Sequence, residues 1–172
     1  VGAVNAARAV LRAMALPDAR GRYAFSDEPA PPPRQTRQPV RVLANAEKVT
    51  VTPGTPGLVR VALEIEPGWH VVAAEPGDAG AGLHGLRVGL TRGSGVAVYA
   101  DYPSGEQYGV EEVGTIRVLT GRVEFDVVLE HSPGVGASPG TPVLGVRYQA
   151  CTDTECARPH AVELDIAVEI KD

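Results

Sequence analysis

The sequence predicts an all-β sandwich, and three features lead to this prediction. The chain of 172 residues contains 20 glycines and 15 prolines, which divide it at frequent turns. Between the turns lie about nine short apolar runs, several of which alternate apolar and polar side chains as half-buried strands do. With 44% hydrophobic and 22% charged residues, the chain can bury a core. Many short strands joined by turns are typical of a sandwich.

The N-terminal segment differs in composition from the rest. Residues 1–16 are rich in alanine and place apolar side chains near helical spacing, which predicts one short helix that ends before Pro17. Residues 17–39 contain the run PAPPPR and are typical of an extended linker. We therefore divide the chain into an N-terminal helix and proline-rich linker, residues 1–39, and a β-sandwich domain, residues 40–172. The first part fits either the end of a preceding domain or a peripheral helix.

The strands are expected in quick succession after this boundary. Alternation is clearest in residues 59–65 and in residues 162–170, where the apolar side chains fall on every second position. Pro67 and Gly68 predict a tight turn before the only tryptophan, Trp69. The predicted strands are 40–44, 49–52, 59–65, 69–73, 86–91, 96–100, 116–119, 123–129, 144–148 and 162–170.

Three long stretches are predicted to be loops. Residues 75–85 are rich in glycine but lack the spacing of a phosphate-binding loop. Residues 132–142 are rich in glycine, serine and proline. Residues 102–114 carry two tyrosines and three glutamates, and they are candidates for a lid over a functional site. The alternative is an acidic surface loop whose tyrosines pack against the sandwich.

Several functions are not expected from this composition. The net charge of −5 and the pI near 5.4 argue against a surface that binds nucleic acid. No apolar stretch approaches the length of roughly 18 to 20 residues that spans a membrane, so we expect no membrane contact by this segment. The sequence also lacks the Gly-x-Ser-x-Gly elbow of a hydrolase.

The stretch YQACTDTECARPH, residues 148–160, contains the candidate reactive groups of the chain. It contains the only two cysteines, Cys151 and Cys156, separated by Thr-Asp-Thr-Glu. These four residues favour turns, so the chain can fold back and bring the sulfurs within bonding distance. A disulfide here would close a loop of about six residues and would contribute about 2 kcal/mol of stability. Such a bond stabilises the fold only modestly, but a small exposed loop is a good site for thiol–disulfide exchange.

The charges near the cysteines indicate that these thiols are substrate-like partners in exchange. They differ from the strongly acidic attacking cysteine of a Cys-x-x-Cys enzyme. Asp153 and Glu155 lie between the thiols and should raise their pKa values, whereas Arg158 and His160 should lower them. Three alternatives remain at this point: a structural disulfide, two free thiols, and a zinc site with His160 as a third ligand.

The run YQACTDTECARP, preceded by PGWHVV and YPSGEQYG, resembles the N-terminal periplasmic domain of the thiol:disulfide interchange protein DsbD. The resemblance implies an immunoglobulin-like antiparallel β-sandwich with a redox pair, Cys151 and Cys156, of which Cys156 forms the mixed disulfide. It implies thioredoxin-like partners, a periplasmic or otherwise extracytoplasmic location, and no metal or organic cofactor. Glu106 and Tyr108 fall in the segment that resembles the family's cap loop, which shields the disulfide until a partner docks.

The sequence departs from the family pattern in three places. The cysteine spacing is one residue shorter, Gln107 stands where the cap loop carries an aromatic residue, and Gly105 replaces an acidic residue.

Two functional hypotheses follow. The first is a thiol–disulfide interchange domain that passes reducing equivalents between thioredoxin-like partners through Cys151 and Cys156. The second is a non-catalytic accessory or interaction module of a larger protein, with a structural disulfide. For the first, the expected partner-docking or cap residues are Trp69, His70, Glu106, Tyr108, Tyr148 and His160.

Overall fold

The computed structural model describes residues 38–110, 114–136 and 138–171. Within these residues the chain forms thirteen β-strands and one short 3₁₀ turn, Asp78–Gly80. The predicted immunoglobulin-like, all-β fold is confirmed. The predicted helix at residues 1–16 and the linker up to residue 37 lie outside the described residues.

The strands are β1 (Val40–Ala44), β2 (Lys48–Val51), β3 (Gly57–Ile65), β4 (His70–Val72), β5 (Arg87–Arg92), β6 (Ser94–Ala100), β7 (Glu106–Val110), β8 (Gly114–Leu119), β9 (Arg122–Gly136), β10 (Val143–Tyr148), β11 (Ala150–Cys151), β12 (His160–Glu163) and β13 (Ala167–Ile170).

These strands form four hydrogen-bonded groups, three of them antiparallel. One four-stranded layer has the order β1-β3-β9-β6, with β9 paired on both sides. A second group has the order β12-β10-β5, and a third has the order β11-β4-β8-β7. Strands β13 and β2 pair in parallel. The second and third groups are joined by the chain itself, because β10 continues through Gln149 into β11.

The core lies between the inward faces of these layers. In β3 the side chains of Val59, Val61 and Leu63 are fully buried, and the alternate positions Leu58 and Arg60 are exposed. This period of two is the one that the sequence predicted. Strands β9 and β10 contribute in the same way, and their inward side chains belong to one core cluster with those of β3. The contributing residues are Phe125, Val127, Leu129, Leu144, Val146 and Tyr148.

The prediction of a loop over residues 102–114 was wrong for residues 106–110. Residues Glu106–Val110 form β7, which pairs with β8 in antiparallel register. Tyr108 and Val110 are half-buried, and the alternate positions are exposed. Two apolar side chains separated by glycine are a weak strand signal, and pairing with the strongly β-prone β8 decides the outcome.

Two further element predictions were wrong in their boundaries. Residues 132–142 are not all connection, because β9 continues to Gly136 and pairs with β6 through a β-bulge. Residues 162–170 are two strands in different sheets. The chain bends between them where the Ile166 amide donates to the Leu164 carbonyl at 2.9 Å. Leu164, Ile166 and Val168 remain buried, so the predicted alternation is confirmed although the strand is broken.

Candidate functional site

The two cysteines face each other across a four-residue hairpin turn. The Thr152 amide donates to the Glu155 carbonyl and the Ala157 amide donates to the Ala150 carbonyl, each at 2.8 Å. Bonds in these positions make Cys151 and Cys156 a non-hydrogen-bonded antiparallel pair, the arrangement in which opposite α-carbons approach most closely. Their α-carbons are 4.0 Å apart, and the sulfurs form a disulfide. The prediction that the two sulfurs lie within bonding distance is confirmed.

Threonine closes this turn. The Thr152 Oγ1 accepts hydrogen bonds from the backbone amides of Thr154, at 3.3 Å, and Glu155, at 3.2 Å. A threonine side chain that caps amides two and three residues later stabilises a tight turn. The sequence between the cysteines therefore determines the local fold that joins them.

The disulfide continues a row of side chains that crosses the sheet. Strand β11 pairs with β4 so that Cys151 is opposite His70, and Cys156 is opposite Cys151 on the other side. Residues that face each other in adjacent antiparallel strands project from the same side of a sheet. His70, Cys151 and Cys156 therefore form one cross-strand row. The Pro67–Gly68 turn, closed by the Trp69 amide on the Glu66 carbonyl at 3.0 Å, leads directly into β4.

The two sulfur-bearing residues differ in exposure. Cys151 is 2% exposed, whereas Cys156 lies in the exposed part of the turn. Both line an open depression of about 660 Å³, which we call the disulfide depression. Its other walls are mainly apolar. The lining residues are His70, Ala79, Ala81, Leu83, Tyr108, Gly109, Val110, Ile116 and the hairpin residues 151–156.

A tyrosine bridge stands beside the disulfide. The Tyr108 hydroxyl donates a hydrogen bond to the Asp153 carboxylate, and this bond raises the pKa of Tyr108. The Tyr108 ring also lies 4.5 Å from the His70 ring, measured between centroids. A second groove, of about 260 Å³, shares these three residues and is also lined by Trp69. The Tyr108–Asp153 bridge therefore connects β7 to the cysteine turn, between the two concave surfaces.

His70 is held in an apolar position. It is 5% exposed, and burial lowers its pKa from the ordinary value of 6.5, while the charge of Asp153 acts in the opposite direction. The neutral imidazole therefore predominates at pH 7.

Three of the predicted docking or cap residues line neither the disulfide depression nor the neighbouring groove. Tyr148 is 1% exposed and packs in the core. His160 lies on β12, with its ring 5.7 Å from that of Tyr148. The Glu106 carboxylate accepts a hydrogen bond from Thr120. The structure thus brings His70 and Tyr108 together with the cysteines. Trp69 lines only the neighbouring groove, and Glu106, Tyr148 and His160 line neither surface.

The zinc interpretation does not fit this geometry. The two sulfurs are bonded to each other, and His160 is absent from the lining of the depression. Among the described residues, no group of three or more histidine, cysteine or acidic side chains is arranged to hold a metal ion.

Two contributors to the site were missed from the sequence. Gln149 is 9% exposed; its Oε1 accepts from the His84 amide at 2.9 Å, and its Nε2 donates to the Ala157 carbonyl at 3.1 Å. It therefore fixes the chain on both sides of the disulfide. A polar residue between two buried strand positions was the available signal. Asp153 was recognised as a charge but not as the acceptor for Tyr108, since that contact joins residues 45 positions apart.

Two solved structures are similar to this chain. The N-terminal periplasmic domain of ScsB from Proteus mirabilis is similar, with a TM-score of 0.55 and 15% identity over 76% of this chain. This chain covers 47% of that one, about half its length. The N-terminal domain of DsbD from Neisseria meningitidis, in the reduced form, gives a TM-score of 0.45 and 21% identity, over 74% of this chain and 83% of that one. None of the curated proteins compared with this chain matches it.

The family model described as "Thiol:disulfide interchange protein DsbD, N-terminal" matches residues 39–167. This span includes β1 to β12 and the whole of the disulfide depression. The chain therefore belongs to the family of DsbD N-terminal domains, and its Cys151–Cys156 disulfide supports thiol–disulfide interchange through this cysteine pair.

Proposed function

We propose that this domain passes reducing equivalents between thioredoxin-like proteins or domains by cycling Cys151 and Cys156 between disulfide and dithiol. The observation that carries the proposal is the asymmetry of the pair, an exposed Cys156 bonded to a buried Cys151 at an open depression. A nucleophile must approach one sulfur along the line of the S–S bond, and Cys156 offers the accessible sulfur.

The exchange begins at Cys156. A thiolate of the reduced partner attacks the Cys156 sulfur, a new intermolecular S–S bond forms, and Cys151 leaves with the electron pair of the broken bond. The partner's second thiol then attacks the partner's own sulfur in this mixed disulfide and releases Cys156. The partner ends as a disulfide and this domain as a dithiol, so two electrons have been transferred. The reverse sequence reduces the disulfide of the next protein.

The walls of the disulfide depression favour a protein as the partner. Leu83, Val110 and Ile116 form an apolar surface beside the sulfurs, and Asp153 and Glu155 are exposed at its edge. Small anionic thiols would be repelled by these carboxylates. A protein that presents its cysteine beside apolar and basic or neutral groups fits both features.

We also propose a periplasmic or otherwise extracytoplasmic location for the domain, residues 40–172, with residues 1–39 as its helix and linker. An oxidising compartment is where a surface disulfide persists. In the parts of the chain that the structure describes, no helix has the length and apolarity needed to cross a bilayer.

The reduction potential of the cysteine pair tests the proposed function. Equilibration of the domain with reduced and oxidised thioredoxin should give a potential above about −250 mV, because exchange-active disulfides are easier to reduce than structural ones. Quantifying the free thiols by mass after alkylation reads the equilibrium directly. A potential below about −300 mV, with no reduction by thioredoxin, would support the alternative of an accessory module with a structural disulfide.

Tyr108 is expected to slow attack on the disulfide. Tyr108→Phe removes the hydroxyl that is bonded to Asp153 and keeps the ring on His70. We expect reduction by dithiothreitol to become roughly threefold faster, because one exposed hydrogen bond contributes little free energy. The measurement is the rate of thiol appearance under pseudo-first-order conditions.

Tyr99→Phe is the matched control, because Tyr99 is 56% exposed and lies on β6, outside the disulfide depression. Its rate should equal that of the unchanged domain. An unchanged or slower rate for Tyr108→Phe would exclude a shielding role for the bridge.

A further inference from the structure

We propose that His70 accepts the proton of the Cys151 thiol when Cys151 closes the intramolecular disulfide and releases an oxidised partner as its reduced form. The inference rests on the proposed function and assigns a role to a histidine outside the cysteine motif. It names the base for one step of the exchange, the step at the buried sulfur.

The strand register places His70 and Cys151 side by side on one face of the sheet. His70 is the register partner of Cys151 in the β4–β11 pair, so their β-carbons are expected to be roughly 4.5–5.5 Å apart on the same side of the sheet. Both side chains line the disulfide depression. Cys156 is the next member of the row, on the far side of Cys151. His70 is therefore adjacent to the buried cysteine and one strand further from the exposed one.

Cys151 needs such a base more than Cys156 does. Only a thiolate attacks a disulfide, and Cys151 is 2% exposed, so water has little access to its proton. Burial and nearby carboxylates both disfavour a thiolate, and Asp153 and Glu155 lie in the turn between the cysteines. Cys156 is exposed and can lose its proton to solvent.

The groups that face His70 leave it able to take a proton. Tyr108 packs on the His70 ring from β7, and Cys151 lies opposite His70 on β11. The negative charge of Asp153, in the turn, raises the pKa of His70 against the larger effect of burial. Burial keeps the imidazole neutral at pH 7, and Asp153 stabilises the imidazolium once it forms. A neutral ring beside a carboxylate is suited to accept a proton and return it.

Closure of the disulfide moves one proton and one electron pair. The Cys151 proton moves to a ring nitrogen of His70, and the Cys151 thiolate attacks the Cys156 sulfur of the mixed disulfide. The Cys151–Cys156 bond forms, and the bond between Cys156 and the partner breaks. The partner sulfur leaves with the electron pair and is protonated, and His70 loses its proton to solvent or to this leaving thiolate. The two thiols of the domain are oxidised and the partner disulfide is reduced.

A single-turnover experiment separates this step from the first attack. The reduced domain is mixed with one equivalent of 4,4′-dithiodipyridine, a neutral disulfide whose release of thiopyridone is followed by absorbance. Attack by Cys156 releases the first thiopyridone, and closure by Cys151 releases the second. Cys151→Ser should release only the first, which assigns the two phases.

His70→Phe should slow the second phase at neutral pH on the order of 100-fold, the lower end of what a positioned acid–base group contributes, and leave the first phase near the unchanged rate. The difference in the second phase should narrow as the pH rises, because hydroxide then ionises Cys151 directly. His70→Gln should behave in the same way and provides a second variant if the phenylalanine perturbs folding. His160→Phe is the matched control and should change neither phase, because His160 does not line the depression.

The outcomes are distinct. A second phase of His70→Phe and His70→Gln that is unchanged at neutral pH, or slowed equally at every pH, would overturn the role of His70 and leave the proposed function standing. Absence of the first phase in the unchanged domain would overturn the proposed function, and the assignment of His70 with it.

Discussion

Cys156→Ser is expected to abolish exchange with a thioredoxin-like protein, reducing the rate at least about 1,000-fold, because it removes the accessible sulfur at which the reaction begins. Cys151 remains in this variant but is 2% exposed. A visiting disulfide cannot reach it in line, so no mixed disulfide should accumulate. The measurement is the formation of the mixed species with oxidised thioredoxin, by non-reducing electrophoresis and intact mass.

Cys151→Ser is the matched control for this experiment. It keeps the exposed Cys156 and removes the thiol that would resolve the mixed disulfide, so the intermolecular species should accumulate to near stoichiometry. Both variants replace a cysteine by serine, at positions that are five residues apart. They should nevertheless give opposite results for accumulation of the mixed disulfide. Equal trapping by both would contradict the assignment of Cys156 as the attacked sulfur. Trapping by Cys156→Ser alone would reverse the roles of the two cysteines.

Tyr148→Ala is expected to lower the free energy of unfolding by about 3–5 kcal/mol, the cost of truncating a large buried aromatic side chain. Tyr148 is 1% exposed and is the largest of the fully buried side chains among the described residues. It lies at the end of β10, from which the chain continues to the cysteine turn. Urea unfolding of the oxidised domain measures the change.

Tyr148→Phe separates packing from hydrogen bonding at this position. It keeps the ring and loses only the hydroxyl, which donates to the Val40 carbonyl at the long distance of 3.4 Å. We expect a loss below about 1 kcal/mol. The folded fraction of either variant should exchange thiols at the unchanged rate, because Tyr148 does not line the disulfide depression. A slower exchange rate with unchanged stability would instead show that Tyr148 contributes to partner docking.

The local part of the candidate site could be predicted because it is short in sequence. Two cysteines that flank Thr-Asp-Thr-Glu need only a four-residue turn to meet, and Thr152 supplies the side chain that closes that turn. The resemblance of the same stretch to the family then gave the exchange chemistry. Trp69 and His70 entered the predicted site through their place in PGWHVV, and the register of β4 with β11 explains why His70 lies beside Cys151.

The errors concern contacts between distant segments. Tyr148 and His160 are close to the cysteines in sequence, but strand alternation directs Tyr148 into the core, and His160 pairs with it on β12. Tyr108 was predicted in a loop, either a lid or an acidic surface loop with its tyrosines packed on the sandwich, and instead lies on a strand with its hydroxyl bonded to Asp153. Tyrosine favours strands, but the glycines and glutamate beside it do not, so pairing with the neighbouring strand β8 decides the outcome.

The amino-acid sequence by itself determined the all-β class, the inward positions of β3, β9 and β10, and the closure of the cysteine turn, because each depends on residues within one strand or one turn. The tertiary structure alone decided which cysteine is buried and which is accessible. It also decided that a histidine 81 positions earlier lies opposite Cys151. Those features depend on strand register, which is set by pairing between segments far apart in the chain and is not encoded in any one of them.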